Sequence, residues 1–299
     1  MKRDYSRLST EQRNPRTERI DALPVAEIVD LLNREDATIA AAVGAEKAKI
    51  ARAVNLLVDR VKKGGRMFFV GAGTSGRLGV LEAAELPPTF DTPRTLAQAI
   101  MAGGPECVWA SKEGAEDDAE DGARQLRLRG VHALDAVVGI TASGVTPFVH
   151  GALEEARRKG AARILVSCNR RGVPRDAADV HVAPEVGPEV IAGSTRLRAG
   201  TATKMVLNLL TVTTMIRLGK VYENLMVDLQ TRSDKLVARA KRIVGVLGGV
   251  PESEASRALK KAGGSAKVAI VMLRRGTSRE EALALLEKSG GMLRGALES

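Results

Sequence analysis

The chain has 299 residues, of which 44% are hydrophobic and 27% charged, a composition typical of a globular protein with one large or two smaller domains. Aromatic residues make up only 2%, and 46 basic residues are spread along the chain beside 36 acidic ones, which argues against a nucleic-acid-binding surface despite the net charge of +10. Two cysteines and three histidines without metal-ligand spacing argue against a metal site, and without an apolar leader or membrane-length segment we expect a cytoplasmic protein that binds no membrane.

Helical patterns and short apolar strands alternate along the first two thirds of the chain. A first short helix is predicted from about Leu23, and a longer amphipathic helix from about Asp36 to Lys63, where Gly64-Gly65 ends it. Helical stretches such as 147–159 separate most of the predicted strands, which lie at about 67–70, 96–101, 136–140, 163–167 and 179–182. This alternation predicts an α/β fold with a parallel sheet covered on both faces and a ligand site at the carboxyl ends of the strands.

The last third of the sequence is predicted to be helical, with long helices at Thr203–Leu218 and Asn224–Leu247. Residues 252–298 then show three short helical runs, which are separated by Gly263-Gly264, Arg275-Gly276-Thr277 and Gly290-Gly291. The pattern predicts three regions: an N-terminal leader with helices (1–63), a sheet domain with the long helix that follows it (64–235), and a small helical bundle (236–299).

A glycine-rich turn follows the first strand, at Gly71–Gly76. Because the turn leads into a helix, main-chain N–H groups and the helix dipole favour an anion there, and the hydroxyls of Thr74 and Ser75 add donors. We therefore predict that Gly73, Thr74, Ser75 and Gly76 bind a phosphate group. A dinucleotide site also fits the glycine spacing, but Asp91 lies in a proline-rich loop instead of at a strand end. A purely structural turn is the second alternative.

A second turn of this kind, Thr141–Thr146, joins the third strand to a helix that starts near Pro147. We predict that Ser143, Gly144 and Thr146 contact the same phosphate, since neighbouring parallel strands end at one edge of the sheet. The alternative is that the two hydroxyls only cap the helix. A third block, Val190–Thr201, concentrates hydroxyls and cations before a long helix. It is interpreted either as another anion-facing helix start, which includes Ser194, or as a capped helix with solvent-facing arginines.

Two carboxylates stand near these turns. Glu85 ends the helix that Ser75 opens, immediately before Leu86-Pro87-Pro88, and Glu116 lies in a glycine-broken acidic stretch. Glu85 fits a helix-end position as well as a catalytic one, and Glu116 fits the acidic first turn of a helix. Spacing alone does not choose these two over neighbouring acids such as Glu82, Glu113 and Asp117.

Several blocks in a fixed order, spread over almost the full length, resemble the N-acetylmuramic acid 6-phosphate etherases, a branch of the sugar isomerase (SIS) domain proteins. The blocks are Thr10–Pro15, Gly71–Gly79, Ala84–Thr89, Glu113–Asp117, Ala142–Pro147, Gly193–Thr201 and Asn224–Asp228. The chain departs from the family's pattern at Leu86, where relatives often carry Cys, at Phe148, where Tyr is frequent, and at Thr141, where Ser or Ala is found. None of these departures removes a proton-transferring group.

The resemblance implies a three-layer α/β/α sandwich of the SIS type, with N-terminal helices and a small C-terminal bundle. It also implies a homodimeric lyase of cell-wall sugar recycling that splits N-acetylmuramic acid 6-phosphate into N-acetylglucosamine 6-phosphate and D-lactate without a metal or organic cofactor. The family's two functional glutamates fall on Glu85 and Glu116. A phosphosugar isomerase or a phosphosugar-binding regulatory protein on the same fold remains the alternative; a regulator would keep the hydroxyl-lined loops and lose the acids.

Overall fold

The structure is a computed structural model that describes residues 8–229 and 234–298. The described residues pack into two compact units, each with its own apolar core. The first unit contains the chain up to Ala83 together with Thr95–Thr211, and the second contains Ala84–Arg94 together with the chain from Val212 onward. Our three sequence-derived regions divide the chain differently, and their boundaries stay a prediction.

A five-stranded parallel sheet forms the centre of the first unit, with the strand order β2-β1-β3-β4-β5. The strands are β1 (Met67–Gly71), β2 (Ala97–Met101), β3 (Ala136–Ile140), β4 (Ala162–Val166) and β5 (Val180–Val182). All five lie within one or two residues of the predicted positions, and their side chains are mostly buried. Near-continuous apolar strands of this kind are typical of parallel sheets that are covered on both faces.

Helices cover both faces of this sheet, which confirms the predicted fold class. The helices of the first part of the chain are α1 (Val25–Asp36), α2 (Ile39–Ala45), α3 (Lys47–Lys62), α4 (Gly73–Phe90), α5 (Ala119–Leu128), α6 (Pro147–Arg158) and α7 (Arg198–Arg217). An added Cβ on Gly139 of β3 would lie 2.7 Å from Val149 Cγ1 of α6. On the other face, an added Cβ on Gly79 of α4 would lie 2.9 Å from Phe69 Cβ of β1.

The predicted long helix from Asp36 to Lys63 is wrong, because the structure breaks it into parts of α1, α2 and α3. The break between α2 and α3 falls at Glu46, whose backbone leaves the helical region at φ −92° and ψ 5°. The buried carboxylate of Glu46 accepts a hydrogen bond from the main-chain N–H of Ala183 at 2.9 Å and pairs with Arg170. These contacts join residues far apart in sequence, so apolar spacing within the helical stretch did not reveal them.

The predicted end of α4 at Glu85 is also wrong, since the helix continues through Pro87 and Pro88 to Phe90. Proline lacks the N–H donor, but its fixed φ near −65° is compatible with a helix, so the chain stays helical with two main-chain bonds missing. The N–H of Asp91 donates to the carbonyl of Pro87 at 3.0 Å and closes the last turn. Asp91 itself has φ 48°, a left-handed conformation that ends the helix.

The second unit is largely helical and includes a short hairpin. Strands β6 (Val221–Tyr222) and β7 (Leu225–Met226) pair in antiparallel fashion, so the prediction of helix from Asn224 is wrong here, while 230–233 lie outside the described residues. The helices are α8 (Asp234–Gly248), α9 (Glu252–Lys261), α10 (Ala266–Arg275), α11 (Arg279–Lys288) and α12 (Leu293–Glu298). Within 252–298 the glycine breaks lie where predicted, but they separate four helices instead of three. No helix of the described chain has the length and apolar character needed to cross a bilayer.

Candidate active site

The carboxyl ends of β1 and β3 lie side by side and at the same level. The two strands pair in parallel from Met67 opposite Ala136 to Gly71 opposite Ile140. Adjacent strands are roughly 4.8 Å apart, so the two glycine-hydroxyl turns leave the sheet at neighbouring points. The helices that they open, α4 and α6, begin only a few residues later and direct their N-termini to this edge.

The first turn is tightly packed against β1. An added Cβ on Gly71 would lie 2.7 Å from the main-chain N of Gly76, and one on Gly76 would lie 2.3 Å from Met101 Sδ. Both positions therefore require glycine because the helix start approaches the strand end closely. Gly73, with φ 53°, opens α4 and has free space beside it. Gly76 serves this packing and is not among the residues that line the cavity described below.

The second turn is organised around the hydroxyl of Thr141. Thr141 Oγ1 lies 2.7 Å from Thr146 Oγ1 and 3.2 Å from Ser143 Oγ, and it accepts a hydrogen bond from the N–H of Gly144 at 3.2 Å. Thr146 occupies the N-cap position of α6, yet its side chain makes no capping hydrogen bond to the described helix. The hydroxyl of Thr146 therefore does not cap α6 and instead forms a hydrogen bond with the hydroxyl of Thr141.

A cavity of about 470 Å³ opens above these two turns, within the usual size range of small-molecule sites. Five of the eight predicted binding residues line it, namely Gly73, Thr74, Ser75, Ser143 and Thr146. The other lining residues are Glu11, Ala72, Glu116, Asp117, Ile140, Thr141, Ala142, Val145, Pro147, Gly193 and Thr195. The lining thus combines hydroxyls, two helix N-termini and three carboxylates, and it contains no lysine or arginine.

Glu116 lies on the wall of this cavity in a short 3₁₀ turn, Ala115–Asp117. The next helix, α5, starts at Ala119 and is capped by Asp118, whose carboxylate accepts the N–H of Asp121 at 2.8 Å. Glu116 is therefore not an acid in the first turn of α5, which had been the alternative for it. Glu116 is an exposed residue of the cavity lining, and its assignment as a catalytic residue stays a prediction.

Glu85 is an exposed residue of α4 and is not among the residues that line the cavity. It follows Ser75 by ten residues in one uninterrupted helix. At 1.5 Å per residue the two Cα atoms are roughly 15 Å apart along the axis, and their side chains differ by about 80° around it. Its assignment as a functional residue stays a prediction.

Glu11 is a cavity residue that the sequence reasoning missed. It ends a 3₁₀ turn in the N-terminal segment, which Thr10 fixes by accepting the N–H of Gly193 at 3.2 Å. Farther along this segment, Asn14 and Arg16 donate to the buried carboxylate of Glu35 at 2.9 and 2.7 Å. The only available signal was that Glu11 belongs to the first of the blocks that resemble the family, because its long-range contacts leave no pattern in the local sequence.

The start of α7 is occupied by a carboxylate of the protein itself. Glu189 accepts hydrogen bonds from the N–H groups of Arg198 and Ala199 at 2.8 and 2.9 Å, and burial raises its pKa. Arg198 is only 3% exposed and donates to Glu35 at 3.1 Å, so it is not the solvent-facing arginine of the alternative interpretation. Two of the N–H groups at this helix start are therefore already bonded within the protein, and the anion-facing interpretation of the block stays a prediction. Of this block, Gly193 and Thr195 line the cavity, whereas Ser194 does not.

A parallel sheet with helices on both faces is the architecture of an SIS domain. In agreement, residues 49–157 match the family model for the glucokinase regulatory protein N-terminal SIS domain. The chain is 49% identical to the N-acetylmuramic acid 6-phosphate etherase of Microcystis aeruginosa, over 98% of this chain and 95% of the relative. It is 53% identical to the etherase of Symbiobacterium thermophilum over 90% of each chain, and 46% identical to that of Clostridioides difficile over 98% of this chain and 96% of the relative. The chain belongs to the N-acetylmuramic acid 6-phosphate etherase family.

Proposed function

We propose that this protein is a carbon–oxygen lyase that cleaves the D-lactyl ether of N-acetylmuramic acid 6-phosphate and releases N-acetylglucosamine 6-phosphate and D-lactate. The observation that carries the proposal is the identity of 46–53% to etherases over nine tenths or more of each chain. The cavity supports it, since hydroxyls and two helix N-termini suit a phosphate and a free carboxylate stands within reach of a bound sugar.

The 6-phosphate is proposed to bind where the two turns meet. Thr74, Ser75, Ser143 and Thr146 offer hydroxyls, and the main-chain N–H groups at the starts of α4 and α6 offer further donors and a favourable dipole. Gly73 gives the phosphate access to this backbone. Because the cavity lining contains no cation, recognition depends on hydrogen bonds with fixed directions.

Ether cleavage needs an acidified C–H bond next to the leaving oxygen and a proton for that oxygen. In the open-chain sugar the C1 aldehyde acidifies the hydrogen on C2, so a carboxylate can remove it while a carboxylic acid protonates the lactyl oxygen on C3. D-lactate then leaves, and water adds to C3 of the unsaturated aldehyde by the reverse steps. We assign the proton transfer at C2 to Glu116 and protonation of the lactyl oxygen to Glu85. Each such acid or base accounts for roughly 10²- to 10⁴-fold in rate.

We further propose that the protein works as a homodimer in which the partner subunit's Glu85 completes the site. C3 of the sugar is separated from the 6-phosphate by C4, C5, C6 and one oxygen alone, a span much shorter than the roughly 15 Å between Ser75 and Glu85 along α4. Val212 and Ile216 are exposed apolar residues one turn apart on α7, and they offer a surface for a second copy. The metabolic role that fits this activity is the recycling of cell-wall sugars in the cytoplasm.

The direct test is incubation of the purified protein with N-acetylmuramic acid 6-phosphate, followed by an enzymatic assay for D-lactate and identification of the sugar product by mass spectrometry. Stoichiometric D-lactate and N-acetylglucosamine 6-phosphate are expected. Binding of the sugar phosphate without lactate release would favour a regulatory protein, and conversion to a ketose phosphate would favour an isomerase.

A further inference from the structure

A second, smaller cavity of about 280 Å³ lies beside the first. The two cavities share Ala72, Gly73 and Glu116 in their linings, so they meet at the start of α4 and at the proposed catalytic carboxylate. A molecule bound in the first cavity can therefore extend past Glu116 into the second. Of the residues that line only this second cavity, the sequence analysis considered Glu113 as an alternative acid and assigned no role to Arg77, Ser111 or Lys112.

The wall of the second cavity is a segment that folds over the end of β2 and is fixed by Arg77. The guanidinium of Arg77 donates to the carbonyls of Cys107 and Val108 at 2.9 and 2.8 Å. An added Cβ on Gly103 would lie 2.6 Å from Cys107 Sγ and 3.6 Å from Lys112 Cβ, which shows that the segment returns across this glycine. Lys112 thus stands on a backbone that is held in place at the cavity.

The charges of the two cavities differ. The first is lined by three carboxylates, Glu11, Glu116 and Asp117, and by no cation. The second is lined by Arg77 and Lys112 together with the hydroxyl of Ser111, besides Glu113 and the shared Glu116. Among the residues that the structure describes, neither Arg77 nor Lys112 forms a salt bridge, so their positive charges are free to act on a ligand.

The proposed substrate has two anionic groups at its two ends, the 6-phosphate and the carboxylate of the lactyl ether. The hydroxyls and helix N-termini of the first cavity suit the phosphate, whereas the second cavity adds Arg77 and Lys112, cations of a kind that the first cavity lacks. We infer that the second cavity is the subsite for the D-lactyl group, in which Lys112 and Ser111 bind the lactyl carboxylate. Glu116, which borders both cavities, then lies next to C2 and the C3 ether oxygen.

This inference rests on the proposed etherase function and adds the residues that distinguish the ether from sugar phosphates without a lactyl group. N-acetylglucosamine 6-phosphate carries the same phosphate but no second anion, so it cannot use Lys112. Free D-lactate carries only the second anion. Substitution of Lys112 is therefore expected to weaken the binding of D-lactate and to leave the binding of N-acetylglucosamine 6-phosphate unchanged.

The test compares wild type with Lys112→Met, using N-acetylmuramic acid 6-phosphate and its lactyl methyl ester as substrates. For the acid we expect KM to rise about tenfold in Lys112→Met, whereas the ester is expected to be a poor substrate of wild type that loses no further affinity in the variant. Inhibition by D-lactate is expected to weaken by a similar factor, and inhibition by N-acetylglucosamine 6-phosphate to stay within twofold. Lys159→Met, at an exposed lysine beyond α6, is the matched control and is expected to behave as wild type.

Two further variants keep the test decisive. Lys112→Arg retains the charge and is expected to retain discrimination between acid and ester, and Ser111→Ala is expected to raise KM for the acid about threefold. Equal KM for the acid in wild type and Lys112→Met, or an equal loss of affinity for N-acetylglucosamine 6-phosphate, would overturn the lactyl subsite while leaving the etherase function intact. A wild-type protein that releases no D-lactate would instead refute the proposed function, and the subsite with it.

Discussion

The hydroxyl oxygens of Thr141 and Thr146 lie 2.7 Å apart at the carboxyl end of β3, so one hydroxyl donates a hydrogen bond to the other and closes the loop between them. Thr141 also contacts Ser143 and accepts the N–H of Gly144. One buried side chain therefore sets the direction in which two predicted phosphate ligands present their hydroxyls.

Replacement of Thr141 by Val is expected to raise KM for the phosphosugar about two- to tenfold with a smaller effect on kcat, because the hydroxyls of Ser143 and Thr146 lose their common partner. Thr141→Ser keeps the oxygen and is expected to stay close to wild type in steady-state kinetics. A loss in Thr141→Ser without a loss in Thr141→Val would assign the effect to packing of the methyl group instead of to the hydrogen bonds.

Removal of the Ser75 hydroxyl tests the phosphate site itself. A hydrogen bond to a charged group contributes roughly 1.5–3 kcal/mol, so Ser75→Ala is expected to raise KM by about one to two powers of ten. The unphosphorylated sugar is expected to be a very poor substrate of the wild type, as measured by D-lactate release. Equal turnover of the two sugars would contradict a phosphate site at this loop.

The two glutamates are expected to separate in heavy water. Glu85→Gln is expected to exchange the C2 hydrogen of the substrate, observed by NMR, while it releases little lactate, because removal of the C2 proton does not need the acid on the leaving oxygen. Glu116→Gln is expected to lose both exchange and release. Lactate release at the wild-type rate in Glu85→Gln would show that this residue does not protonate the leaving group.

Subunit mixing tests whether the partner subunit's Glu85 completes the site. Inactive Ser75→Trp and Glu85→Gln proteins, mixed under conditions of verified subunit exchange, are expected to regain activity, since each heterodimer would contain one intact phosphate site with one intact Glu85. Mixing either variant with itself is the control. Exchange without recovered activity would mean that both residues act within one chain.

Acid stability is expected to depend on Glu35. The hydrogen-bonded guanidinium of Arg16 lowers the pKa of this carboxyl to about 2, from an ordinary value of 4.5. Because the folded state holds the carboxylate ionised, its contribution to the free energy of unfolding is full above pH 4.5 and is lost as the pH falls towards 2. Urea unfolding at pH 6 and pH 3.5 is therefore expected to show a larger acid-induced loss in wild type than in Glu35→Gln. The same loss in both proteins would exclude Glu35 as a source of the acid sensitivity.

Local patterns in the sequence were sufficient for the sheet and for the two turns of the cavity. Runs such as Met67–Val70 and Ala136–Ile140 are apolar, end in glycine or hydroxyl residues and lead into helices, so strand, turn and ligand edge follow from neighbouring residues. The break at Glu46 and the position of Glu11 depend on Ala183 and Gly193, which lie more than a hundred residues away. The continuation of α4 through Pro87 and Pro88 was not predicted, because proline inside a helical pattern normally ends the helix at the preceding residue.

The two ends of the cavity differ in how strongly the fold constrains their backbone. Its anion-binding end depends on β1 and β3 being paired so that Gly71 is level with Ile140. An inserted residue in either strand would advance one turn by roughly 3.3 Å and reverse the faces of the side chains beyond it. The segment that carries Lys112 lies outside the strands, so strand pairing does not fix its length, and Arg77 holds it only at Cys107 and Val108. Changes in the length or charge of that segment would therefore let a protein of this architecture accept a sugar phosphate with a different substituent, while the phosphate-binding turns stay as they are.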